Sequence, residues 1–260
     1  MIVNIINAFN IIAMLFGVVA SLFSMKEGKR PMRLVLFGFA MACFFLSDVY
    51  WIIYDAMYPD KAMPFAANEI AEWAFFLLMG AALLADLPKK RVNAVQEIML
   101  AGIFVAGNAG VWILATGEWV QDILTGLTLG YFICCIMARM RYSESFSKTA
   151  WRVLAAAALC VLVTQYICML AKPPYAAYAE NVCYAVLFIG IAFLLAASLW
   201  EILRGKKADR AVCMSFGLFA WSVIALYLGS NEIVYNTFYV SCSIAVILSL
   251  FALRKEVMAQ

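Results

Sequence analysis

Apolar runs of about 20 residues recur along the whole chain, separated by short polar gaps. Each run is long enough to cross a ~30 Å hydrocarbon core as an α-helix. The pattern predicts nine transmembrane helices, at 4–25, 33–56, 65–87, 96–116, 118–139, 150–171, 178–203, 211–229 and 233–254. Some connections are as short as Thr116-Gly117 or Gly229-Ser230-Asn231. The expected fold class is an all-α polytopic integral membrane protein, a single transmembrane domain over residues 1–260. With no extramembrane domain expected, any site must be built from helices and their ends.

The polar gaps are not equivalent. Of 19 Lys and Arg, 17 fall in every second gap. These are Lys26, Lys29, Arg30 and Arg33; Lys89, Lys90 and Arg91; Arg139, Arg141, Lys148 and Arg152; Arg204, Lys206, Lys207 and Arg210; and Arg254 and Lys255. Only Lys61 and Lys172 occupy the other gaps. This is a positive-inside alternation, and it predicts an outside N-terminus and a cytoplasmic C-terminus. No basic segment precedes the first run, so an uncleaved first helix is expected. The compact loops suggest a bacterial cytoplasmic membrane.

Composition agrees: 67% of residues are hydrophobic and 13% charged, whereas soluble domains are about 45–50% apolar. The net charge of +3 is no nucleic-acid signal, because the excess cations flank membrane segments. The absence of His removes His-ligated haem, most zinc sites and Ser-His or Cys-His nucleophiles. The eight cysteines lie within the apolar runs without a CxxC pair and read as small packing residues. No cofactor and no metal are expected. No Lys lies within a run, so no retinal Schiff base is implied.

The chain also reads as duplicated. Glu118 to Arg141 aligns without gaps on Glu232 to Lys255 at an offset of 114. At an offset of 117, Cys43 meets Cys160, Ser47 meets Thr164 and Asp48 meets Gln165. The implied plan is helix 1 at 4–25, then two four-helix repeats of the same orientation, at 33–141 and 150–255. Small residues four apart (Gly126 and Gly130; Gly102, Ala106 and Gly110) predict close helix contacts.

The same topology sorts the acids. Glu27, Asp86, Glu97, Glu144, Glu201, Asp209 and Glu256 fall on the inner side, and the inner half carries +10. Asp48, Asp55, Asp60, Glu69, Glu72, Glu118, Asp122, Glu180 and Glu232 fall in the outer half, which carries −7. Asp48 and Glu72 lie deepest, roughly 9–12 Å inside their helices at 1.5 Å per residue. A carboxylate at that depth must face the bundle interior or water. Glu69 shares a face with Glu72, and Asp122 lies about one turn inside helix five. No basic residue lies in these stretches, so such acids must be protonated, water-bound or bound to an external cation. In the second repeat Gln165, Asn181 and Asn236 stand near the corresponding positions, amides in place of acids. Trp51 and Trp73 are among many outer-half aromatics, which suit an interfacial belt or an aromatic cage for an organic cation.

These features suggest a small secondary transporter or solute-binding membrane protein. Its ligand or proton site would be built from Asp48, Glu69, Glu72, Asp122, Gln165, Asn181, Asn236, Trp51 and Trp73. A cationic or amine solute, or proton coupling, fits best. An alternative is a ligand-sensing or partner-binding membrane module without transport, whose basic loops contact a separate cytoplasmic partner or anionic lipid; a homo-oligomer is the other assembly expected. A third reading is a lipid hydrolase using Asp48 and Glu72 as acid and base. The Ser47-Asp48 pair inside a helix resembles lysoplasmalogenase-like membrane hydrolases over a few residues, but Gln165 stands where a second-half Asp would be. HExxH is absent and Tyr54-Asp55 has no GxGD partner, so an enzyme is not the leading expectation.

Overall fold

Nine helical segments occur among the described residues of the computed structural model, which are 2–24, 31–58, 67–85, 102, 106–114, 118–142, 148–205, 207–228 and 231–258. The helices are α1 (Ile2–Ser24), α2 (Pro31–Met57), α3 (Ala67–Leu84), α4 (described over 106–114), α5 (Trp119–Tyr142), α6 (Lys148–Leu170), α7 (Tyr175–Leu203), α8 (Ala208–Tyr227) and α9 (Glu232–Met258). No strand occurs among these residues. Helices pair every backbone N–H and C=O within the segment, which an apolar environment requires. Seven of them (α1, α2 and α5 to α9) are long and apolar enough to cross a membrane. The cations Lys26, Lys29, Arg30 and Lys89 to Arg91, and most of the expected fourth helix, lie outside the described residues.

The helices form a closed ring in the order α1, α2, α3, α5, α8, α9 and back to α1. Helix α7 packs on α8 and α9, and α6 packs on α7. Helix α4 meets α6 where Tyr166 Oη donates to Gly107 O at 3.0 Å. It meets α8 where the Trp112 and Tyr227 rings lie 5.1 Å apart. A Cβ on Gly107 would strike Leu162, and one on Gly110 would strike Tyr166 Oη. Gly110 therefore serves close packing as its spacing suggested, whereas Gly102 faces no neighbour among the described residues.

Helix α8 is the centre of the bundle: Ala211 to Ser215 and Leu218 to Ala225 are all buried. By contrast α6 and α7 leave Leu159, Val163, Ile167, Ile189, Phe193 and Leu203 exposed. Apolar side chains turned outward on this scale are those of a protein solvated by lipid. Between the bundle's ends lies a layer of phenylalanines. Phe75 packs on Phe44 at 4.8 Å and on Phe219 at 5.1 Å; Phe132 packs on Phe216 and Phe219, and Phe37 on Phe216. Phe37, Phe75, Phe132, Phe216 and Phe219 have no solvent-accessible surface.

The end that carries most of the cations is tied by buried charges. Arg139 of α5 donates to Leu83 O of α3 at 2.7 Å and to Asp209 of α8 at 2.5 Å, and also binds Glu256 of α9. Arg33 of α2 reaches the same Glu256 at 2.5 Å. Two guanidiniums and two carboxylates thus join five helices at one level. The sequence reading gave these cations to topology alone. Arg33 and Arg139 correct it: their side chains are 3% and 1% exposed, which makes them structural ties rather than solvated flanks. Nearby, Lys255 Nζ donates to the carbonyls of Glu201, Ile202 and Gly205 at 2.7 to 2.9 Å. It thereby satisfies carbonyls that the end of α7 leaves without a helical partner.

Candidate functional site

The opposite, acid-rich end holds a second polar cluster, and its first member is Asn10. This side chain lies in the apolar run of α1 and is fully buried. Its Nδ2 donates to Asp48 Oδ2 of α2 and to Tyr239 Oη of α9, the latter at 2.8 Å. Tyr239 Oη in turn donates to Asp48 Oδ1 at 3.2 Å. One helical turn further along α9, Ser243 Oγ donates to Asn10 Oδ1 at 2.6 Å. Buried amides need all their partners, and these bonds fix which way Asn10 faces. Both carboxylate oxygens of Asp48 are therefore held from two neighbouring helices.

Glu72 of α3 completes the pair of deep acids. Its Oε1 accepts a hydrogen bond from Tyr227 Oη, at the end of α8. Glu72 lies near enough to Asp48 for their charges to interact. Tyr235 and Cys242 of α9 lie within the field of both. Helix α3 is set by its first turn: Ser47 Oγ, next to Asp48, donates to Asn68 O at 3.0 Å. Ala67 therefore begins α3 at the level of Ser47, ten residues short of the end of α2. Asp48 is 15 residues from Arg33 along α2, or roughly 22 Å. The phenylalanine layer fills that interval, between the acid cluster and the ion network.

The nine residues singled out from the sequence divide here. Asp48 and Glu72 converge, and Glu69 is buried one turn from Glu72. Asp122 stands in the first turn of α5. Trp73 Nε1 donates to Thr125 Oγ1 at 2.9 Å, which ties α3 to α5 rather than opening a cage. Trp51 is exposed. The amides do not gather around the acids: Gln165 Nε2 donates to Cys183 Sγ at 3.0 Å between α6 and α7, Asn181 is exposed on α7, and Asn236 is half-buried on α9. In their place the structure supplies Asn10, Tyr227, Tyr239 and Ser243.

The donors that reach Asp48 and Glu72 are an amide and two phenols, all neutral. Two half-buried carboxyls at membrane depth, with no cationic partner among the described residues, favour neutralisation by a proton or a bound cation. All eight cysteines are free thiols. Among the described residues no three His, Cys, Asp or Glu side chains are placed to hold a metal ion. Comparison of the chain with protein-family models, curated proteins and solved structures finds no match, so a functional reading rests on the chemistry of this cluster.

Proposed function

We propose that the protein is a small secondary transporter whose site, centred on Asp48 and Glu72, exchanges protons for an organic cation. The observation that carries this reading is that two carboxyls of α2 and α3, within each other's field, accept hydrogen bonds only from neutral groups among the described residues. In the empty protein, protons neutralise the pair; a cationic solute replaces them. Proton and cation compete for the same oxygens, so the sign follows from reciprocity: cation affinity falls as the medium is acidified. In this reading the N-terminus and the acid cluster face outward, the basic end faces the cytoplasm, and the membrane is the bacterial cytoplasmic one.

Two further features support the reading. The phenylalanine layer lies between the cluster and the ion network of the basic end, as a site open to one side at a time requires. The pairing of helices also accommodates two four-helix repeats after α1: α2 on α3 has its counterpart in α6 on α7, and α3 on α5 in α7 on α9.

The test is uptake of labelled methylammonium and tetramethylammonium into proteoliposomes with an imposed pH gradient. Asp48→Asn and Glu72→Gln should each lower gradient-driven uptake of the transported ion at least tenfold. Unchanged uptake with an unchanged pH profile in both variants would sink the assignment.

A further inference from the structure

We infer that the site recognises a primary ammonium group and rejects quaternary ammonium and alkali ions; this rests on the cation-exchange reading above. The donors of the cluster are already committed. Asn10 Nδ2 serves Asp48 and Tyr239, and Tyr239 Oη serves Asp48. Tyr227 Oη serves Glu72, Ser243 Oγ serves Asn10 Oδ1, and Ser47 Oγ serves Asn68 O. What the cluster leaves open is acceptors. Asn68 Oδ1 is buried and has no hydrogen-bond partner among the described residues. A buried amide oxygen left without a donor is costly and points to a group that supplies one.

The position of Asn68 ties this oxygen to the acids. Asn68 and Glu72 are one turn apart on one face of α3, and the Ser47 hydrogen bond sets Asn68 beside the neighbour of Asp48. A ligand entering here meets two carboxyls and an amide oxygen. A primary ammonium matches that set, because it brings a positive charge and three N–H donors together. A quaternary ammonium brings charge without a donor and depends on aromatic faces. Of the tryptophans that could offer such faces, Trp73 is bonded to Thr125 and Trp51 is exposed. Tyr235 and Tyr239 stack on each other with centroids 6.1 Å apart. An alkali ion gains nothing from N–H directionality and seeks a larger shell of oxygens than two carboxyls and one amide present.

Thermal unfolding of the purified full chain in detergent, titrated with methylammonium, tetramethylammonium or sodium chloride at equal ionic strength, tests this. Methylammonium should raise Tm saturably, and the other two salts should not. Asn68→Ala should raise the half-saturating methylammonium concentration about tenfold, the scale of one hydrogen bond to a charged donor. Asn68→Asp, which keeps an acceptor, should bind as well as the natural chain or better. Equal stabilisation by tetramethylammonium or sodium overturns the inference and leaves the cation-exchange reading standing, as does wild-type methylammonium binding by Asn68→Ala. Binding of no cation at all overturns both. Should Asn68→Ala fail to fold, Asn68→Asp and the three-salt comparison on the natural chain decide.

Discussion

Replacing Glu256 by Gln removes a carboxylate that Arg33 and Arg139 both hold. Arg139 then keeps Asp209, which is one-third exposed. Both arginine side chains are almost completely buried, so the variant takes from two guanidiniums in a low-dielectric place the carboxylate that they share. Breaking a buried pair in this way costs about 3–5 kcal/mol. A comparison lies at the same end: Arg210 and Glu201 approach to 3.4 Å, but Arg210 is 39% exposed. Exposed pairs contribute about 0–1 kcal/mol, so Arg210→Ala should change stability by no more than that. The assay is reversible unfolding of the detergent-solubilised protein in mixed SDS micelles, followed by tryptophan fluorescence. A third variant, Arg33→Met with Glu256→Leu, removes one charge of each sign and leaves Arg139 with Asp209. It should recover more than half of the loss seen in Glu256→Gln. If Glu256→Gln and Arg210→Ala destabilise alike, by under about 1 kcal/mol, the network is not the tie that its burial implies.

Other outcomes follow from the packing. Asn10→Leu should leave one oxygen of Asp48 without its donor, with Ser243 Oγ keeping only its bond to Tyr239 O, and cost about 1–3 kcal/mol of stability; gradient-driven uptake should fall with it, and a stable variant with full uptake would remove Asn10 from the site. A Cβ at Gly190 would overlap the Trp221 ring, whose Nε1 donates to Leu187 O at 3.1 Å. Gly190→Ala should therefore destabilise by about 1–3 kcal/mol and shift the tryptophan emission, and unaltered emission would contradict the contact. Trp73→Phe loses the bond to Thr125 and should cost about 1 kcal/mol while leaving cation binding, measured by thermal shift, within twofold of the natural chain.

Much of the architecture was legible because a membrane helix announces itself as an apolar run, and each of the nine runs contains a helical segment. Which helices touch was not legible. A run that is apolar on every side looks the same whether it faces lipid or protein. The near-total burial of α8 and the exposure of α7 could not be told apart by hydropathy, although the five serines buried in α8 and α9 at Ser215, Ser222, Ser241, Ser243 and Ser249 hinted at protein contact. Asp48 and Glu72 stood out because a charge at depth has few tolerable environments. Asn10 lies at comparable depth in α1, but an uncharged amide in an apolar run carries a weaker signal than an acid. Arg33 and Arg139 were hidden for a different reason: the positive-inside rule already accounts for their place in the sequence. The clue to their second role was the pair of acids, Asp209 and Glu256, falling at the same basic end. The amides Gln165, Asn181 and Asn236 were linked to the acids through sequence correspondence alone, and correspondence between repeats does not place two residues in one site.

Proton release on cation binding tests the central claim most directly. Methylammonium added to the detergent-solubilised protein in weak buffer with a pH indicator should acidify the medium in proportion to occupancy. Asp48→Asn combined with Glu72→Gln should abolish both the binding and the proton release. Binding without proton release, or undiminished binding by the double variant, would contradict the exchange of protons for a cation at Asp48 and Glu72.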